Sequence, residues 1–142
     1  MKRITLTIML LVAIAVNALS SDIITVDGIK YLVNTENNTA TVVENKYSGN
    51  IVIPSTVTYE GKEFPITTIG KEAFASSDVS SISFGKNVTT LEDGCFQHSN
   101  LEKLTYLAQF SNVGKECFKE CYLLYDLTIE DRSKVHTRRL LL

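Results

Sequence analysis

The chain has 142 residues, of which 44% are hydrophobic, 21% charged and 8% aromatic, and its formal net charge is −2. This is the profile of one ordinary globular domain, and seven Gly and two Pro are too few for a collagen-like or low-complexity chain. A pI near 5.7 with no basic stripe argues against a nucleic-acid partner.

The chain opens on Lys2 and Arg3, followed by an apolar run from Ile4 to Val16 interrupted only by Thr5 and Thr7. Ala18, Ser20 and Ser21 come next. A basic start, a short apolar core and small residues at the cut form a secretory signal over residues 1–20. The run is shorter than the about 20 residues a membrane-spanning helix needs. Cleavage after Ala18 or Ser20 satisfies the small-residue rule and leaves a more acidic chain with no further apolar span. The expected location is outside the cell or on its surface.

Residues 21–65 read as a β-rich capping segment. Ile23 to Val33 alternates around Asp27-Gly28, a two-residue hairpin signal. Asn34 to Asn38 is turn material and Thr39 to Val43 a further strand. Ile51-Val52-Ile53 lies between Gly49 and Pro54, and Val57 to Phe64 forms a second hairpin around Glu60-Gly61. No Pro/Gly/Ser linker separates this meander from residue 66 onward, which favours one continuous body.

Residues 66–130 repeat. Ile66-Thr67-Thr68-Ile69-Gly70-Lys71-Glu72-Ala73-Phe74 aligns with the nine residues from Val88 to Phe96 and with those from Phe110 to Phe118. Ile69, Leu91 and Val113 are 22 residues apart, as are Phe74, Phe96 and Phe118. The second half of each unit is a short strand: Val79-x-x-Ile82-x-Phe84, Leu101-x-x-Leu104-x-Tyr106 and Leu124-x-x-Leu127-x-Ile129, with the last interval stretched to 23. Periods of 20–29 residues with L-x-x-L-x-L cores belong to leucine-rich repeat solenoids. Stacked about 4.8 Å apart, such strands cover one another's apolar side chains. Phe74, Phe96 and Phe118 are then expected in one internal stack, and Ile82, Leu104 and Leu127 in another. The predicted fold is mainly β: a solenoid of about three rungs of 22–23 residues with an N-terminal meander cap. Residues 131–142, which include Val135, His136 and Arg138-Arg139-Leu140-Leu141-Leu142, break the pattern and read as a divergent or truncated tail.

The unit V-x-x-I-G-x-x-A/C-F-x-x-x-x-L-x-x-L-x-I closely resembles the BspA-type leucine-rich repeats of secreted and surface proteins in Bacteroidetes and related host-associated microbes. The resemblance covers about residues 66–130. Val26 to Tyr31 and Tyr47 to Val57 look like the leader that precedes the first repeat in that family. It implies an extracellular, adhesin-like interaction module without enzymatic activity or cofactor, with host or neighbouring-cell surface proteins as the expected partners.

The candidate chemistry is sparse. His98 and His136 have no ligand partners at metal-binding spacing and read as surface histidines. Cys95 and Cys117 share one repeat position, where the first unit has Ala73, and Cys121 follows four residues later. Buried structural thiols are favoured over a Cys95–Cys117 bond, because parallel side chains on neighbouring rungs point the wrong way for an unstrained bridge. The recurring pairs Lys71-Glu72, Glu92-Asp93 and Lys115-Glu116 read as solvated turns rather than acid–base machinery. Asn37-Asn38-Thr39 and Asn87-Val88-Thr89 match the glycosylation sequon, expected to stay bare in a bacterial protein. No nucleophile elbow, phosphate loop or dinucleotide fingerprint occurs.

Outward strand positions remain as the expected binding face: Ser81, Ser83, Glu102, Lys103, Thr105, Tyr125, Asp126 and Thr128. Stacking arranges them in columns, Ser81-Lys103-Asp126, Ser83-Thr105-Thr128 and Ser80-Glu102-Tyr125. The competing expectation is a structural spacer, or the remnant of a longer surface protein, that self-associates through an open C-terminal rung.

Overall fold

The computed structural model of the protein describes residues 21–106 and 110–129, with the side chains of Tyr106, Leu127, Thr128 and Ile129 outside that description. The expected signal at 1–20 and the tail at 131–142, with His136, also lie outside the described residues. Eleven strands are present among the described residues and no helix.

The first three strands, β1 (Asp22–Val26), β2 (Ile29–Asn34) and β3 (Thr39–Val42), form an antiparallel meander. The β1–β2 connection is the two-residue turn Asp27-Gly28, with φ of 50° and 78°. Positive φ at both positions gives the turn a twist that matches the strands it joins. Strand alternation buries Ile29, Tyr31 and Val33 of β2 and leaves the residues between them half-exposed. The second predicted hairpin forms in the same way. β5 (Thr56–Tyr59) pairs antiparallel with the first half of β6 (Lys62–Ile69) across Glu60 and Gly61, both at positive φ. Tyr59 ties this hairpin to the start of the meander, its hydroxyl donating to Asp22 Oδ2 at 2.6 Å.

From β3 onward the chain coils. It passes through β4 (Ser48–Ile53), β6, β7 (Asp78–Phe84), β8 (Thr90–Leu91), β9 (Lys103–Tyr106), β10 (Asn112–Val113) and β11 (Asp126–Ile129). Strands β3, β6, β8 and β10 stack in parallel as one sheet, and β4, β7, β9 and β11 as another. Each turn of the coil contributes one strand to each sheet. The register is that of the repeat, with Ile69 opposite Leu91, Leu91 opposite Val113, Ile82 opposite Leu104 and Leu104 opposite Leu127.

The coil begins one turn before the repeat visible in the sequence. Ile51 of β4 lies opposite Ile82, and Ile53 opposite Phe84. These positions are 31 residues apart because the β5–β6 hairpin is inserted between them, so an alignment at period 22 does not find them.

The loops between the two sheets are themselves laddered. Phe74 N–H donates to the Cys95 carbonyl at 2.7 Å and Phe96 N–H to the Cys117 carbonyl at 2.9 Å. Ser76 donates to Gln97 and His98 to Lys119 at 2.8 and 2.9 Å. Buried backbone polar groups in the loops are thereby satisfied from one turn to the next. The core runs down the coil as columns. Phe74 and Phe96 stack at 5.2 Å, and Phe96 and Phe118 at 5.5 Å, with interplanar angles of 8° and 3°. Ala73, Cys95 and Cys117 form a column of small buried residues beside them.

Tyr47 closes the ring stack at its N-terminal end, 4.7 Å from Phe74. Its hydroxyl donates to the Val43 carbonyl at 2.7 Å and accepts from Lys30 N–H at 3.1 Å. The repeat's Gly70 sits where backbones nearly touch: its N–H donates to Val42 O at 2.8 Å, and a Cβ there would come within 2.7 Å of that same oxygen.

Candidate functional site

The outward face of the β4–β7–β9–β11 sheet carries the positions expected to bind. Ser81 is paired with Lys103 and Lys103 with Asp126, while Ser83 is paired with Thr105 and Thr105 with Thr128. Ser80, Glu102 and Tyr125 are linked through their backbones, Glu102 N–H donating to Ser80 O at 2.9 Å and Tyr125 N–H to Glu102 O at 3.1 Å. All three expected columns therefore exist in the backbone register.

β4 adds a fourth member to two of them. Asn50 lies opposite Ser81 and Val52 opposite Ser83. Ser81 Oγ donates to Asn50 Oδ1 at 2.8 Å, and Val52 is 68% exposed. The Ile51-x-Ile53 alternation was the available signal for these two residues, and the 31-residue offset concealed it.

The face is polar and internally paired. Lys103 Nζ lies 3.2 Å from Asp126 Oδ2, with both side chains well exposed. Such a pair contributes at most about 1 kcal/mol to stability, but it leaves Lys103 with its charge largely answered. Tyr125, 78% exposed, is the aromatic on this face, and it lies on the last turn described.

The other candidate side chains fall elsewhere. His98 is on the loop side, where its Nδ1–H donates to Glu120 Oε2 at 2.8 Å. It is a surface histidine with a partner one turn further on. Among the described residues no three His, Cys, Asp or Glu side chains converge as a metal site would require.

The three cysteines are free thiols. Cys117 donates to the Glu92 carbonyl at 3.0 Å and Cys121 to the Phe96 carbonyl at 2.9 Å. Burial pushes the Cys95 and Cys121 thiols up, while the Cys95 thiol hydrogen-bonded to Cys117 holds Cys117 below its ordinary value. Raised thiols such as Cys95 and Cys121 are poor nucleophiles, and Cys117 is buried with its S–H given to a backbone carbonyl.

The paired acidic residues of the second unit cap backbone groups. Glu92 Oε2 accepts from Lys71 N–H at 2.8 Å and Asp93 Oδ1 from Lys115 N–H at 2.7 Å. Each holds a neighbouring turn. Of the two sequons, Asn37 lies in the exposed β2–β3 turn, whereas Asn87 Nδ2 donates to the Ser55 carbonyl at 2.9 Å.

This architecture has known counterparts. The sequence model of the BspA type leucine rich repeat region matches residues 44–138 in six copies. The chain belongs to the BspA-type leucine-rich repeat family. The match starts just before β4, in keeping with the early start of the coil.

Among solved structures, a leucine rich cell surface protein from Faecalibacterium prausnitzii A2-165 is similar with a TM-score of 0.63 and 20% identity over 78% of this chain and 32% of its own. A leucine-rich repeat protein from Bacteroides capillosus is similar with a TM-score of 0.51 and 22% identity over 78% and 66% of the two chains. The pneumococcal vaccine antigen PcpA gives 0.50 and 24% over 81% and 40%. At these identities the likeness is one of fold, and this BspA-type chain spans about a third of the Faecalibacterium protein it resembles. A search of curated proteins finds no match.

Proposed function

We propose that this BspA-type protein is a non-enzymatic, adhesin-like module of the cell surface or the secreted fraction, which binds other proteins through the outer face of the β4–β7–β9–β11 sheet. The observation that supports this reading most is the register of that sheet. It lines up Asn50, Ser81, Lys103 and Asp126 as one hydrogen-bonding column, with Val52 and Tyr125 exposed as apolar anchors on either side. Aromatic anchors with a polar surround are what protein interfaces use to bind. The family and the fold likeness to a cell surface protein add to it, as does the signal read at residues 1–20.

The test is binding of the full chain to a panel of immobilised host extracellular proteins. A saturable partner is expected, and changing Lys103 and Tyr125 together to Ala is expected to weaken it by about tenfold or more, near 1.4 kcal/mol. Undiminished affinity in that double variant would remove the face from the assignment.

A second reading is favoured by a separate observation. Tyr122 and Leu123 on the last described turn are 84% and 50% exposed, which suits a spacer that associates end to end rather than a binder of other proteins.

A further inference from the structure

On the loop side of the coil, between the turns that lead into β9 and β11, lies a depression of about 320 Å³ walled by His98, Ser99, Asn100, Glu120, Tyr122 and Leu123. Its residues precede the strands and are distinct from the outer face described above. His98 and Glu120 occupy the same position on successive turns and share a left-handed backbone, with φ of 57° and 56°. That shared conformation presents the two side chains alike, and they meet at 2.8 Å.

The polar groups of this depression are only half used. Glu120 accepts from His98 through Oε2, leaving Oε1. Asn100 gives Nδ2 to Asp78 Oδ1 at 2.9 Å, leaving its carbonyl Oδ1. His98 commits Nδ1–H to Glu120, leaving Nε2, which accepts when the ring is neutral and donates when it is charged. Ser99 is buried, and its hydroxyl lies 3.5 Å from Cys121 Sγ, so it forms floor rather than a contact. Tyr122 and Leu123 supply an exposed ring and an aliphatic side chain.

These groups select a ligand class. No Lys or Arg lines the depression, and Glu120 repels an anion. The carboxylate is already partnered by an imidazole, which weakens the case for a cation. Two carbonyl-type acceptors and an ambivalent nitrogen beside an aromatic face suit a ligand whose hydroxyls both donate and accept and whose C–H face is apolar. We propose that this depression is a binding site for a single pyranose sugar residue, with ring hydroxyls on Glu120 Oε1, Asn100 Oδ1 and His98 Nε2 and the C–H face on Tyr122 and Leu123.

The test is a titration of the 15N-labelled full chain with the methyl glycosides of glucose, galactose, mannose and N-acetylglucosamine. Ethylamine and acetate serve as cationic and anionic probes. At least one glycoside is expected to shift the amides of residues 98–100 and 120–123 saturably, with a Kd on the order of 1 mM.

Tyr122→Ala alters an exposed side chain and is expected to weaken that binding by about tenfold or more. Glu120→Gln is expected to weaken it too, and Tyr125→Ala, on the strand face, to leave it unchanged. Failure of every glycoside to saturate at these amides overturns the proposal. So does tighter binding of ethylamine or acetate there, or a titration that Tyr122→Ala leaves intact.

Discussion

Phe96 lies between two nearly parallel rings and is fully buried, whereas among the described residues Phe118 is stacked on one side only and is partly buried. Removing a buried aromatic loses its transfer energy and leaves a cavity that the surroundings fill only in part. Phe96→Ala is therefore expected to cost about 3–5 kcal/mol, and Phe118→Ala about 1–2 kcal/mol. Urea unfolding followed by circular dichroism measures both, and equal costs would contradict the described stack.

Tyr31 makes a second prediction at this scale. It is 1% exposed, and burial pushes its phenol up to about 12 from an ordinary 10. Above the ordinary value the unfolded chain releases this proton while the folded chain keeps it, so the unfolded state binds fewer protons and stability falls as pH rises. Tyr59, raised to about 12 by its hydrogen bond to Asp22, acts in the same direction. The urea midpoint is expected to drop between about pH 10 and pH 12, and Tyr31→Phe to flatten part of that drop.

At the scale of elements, the meander and the coil share strand β3, and one side chain seals their junction. Tyr47 places its ring on Phe74 and its hydroxyl between Val43 and Lys30, so it covers the first turn and holds β2 against the β3–β4 connection. Tyr47→Phe keeps the ring and strands the Val43 carbonyl and Lys30 N–H, an expected cost of about 1–2 kcal/mol. Tyr47→Ala loses the ring as well and is expected to cost clearly more. Thermal melts of the two variants distinguish the contributions, and identical melts would mean that the ring contributes nothing.

At the scale of the whole molecule, the first and last turns of the coil differ among the described residues. Its N-terminal end is covered by β1 and β2 and by Tyr47, with Val33 and Tyr31 buried beneath. The last described turn instead presents Tyr122, Leu123 and Tyr125 to solvent. Repeat arrays depend on capped ends for solubility, and exposed strands with apolar neighbours invite pairing. If the spacer reading holds, sedimentation velocity will show association that rises with concentration and falls in a Tyr122→Ser, Leu123→Ser variant. A concentration-independent monomer returns the weight to the strand face.

The sequence by itself determined whatever depends on short spacing or on an unbroken period. Asp27-Gly28 and Glu60-Gly61 announce their hairpins because positive φ at two adjacent residues is a local requirement. The 22-residue recurrence of Ile69, Leu91 and Val113, and of the three phenylalanines, places the stacked columns because each turn must present the same side chains to its neighbours, although Val113 on the last described turn is 42% exposed.

Tertiary structure alone decided which side chains make contact across the turns, and where the coil runs outside that period. The inserted hairpin hid the β3–β4 turn, and with it Asn50 and Val52 on the outer face. Tyr47 stands in for a repeat phenylalanine but lies 27 residues before Phe74, so the 22-residue period does not mark it. Glu92 and Asp93 look like solvated turn charges until the pitch of the coil brings Lys71 and Lys115 N–H groups to them, and His98 meets Glu120 for the same reason. Residues 21 to 31 positions apart become neighbours only through the pitch and register of the coil, and these are set by the packing of all its turns together.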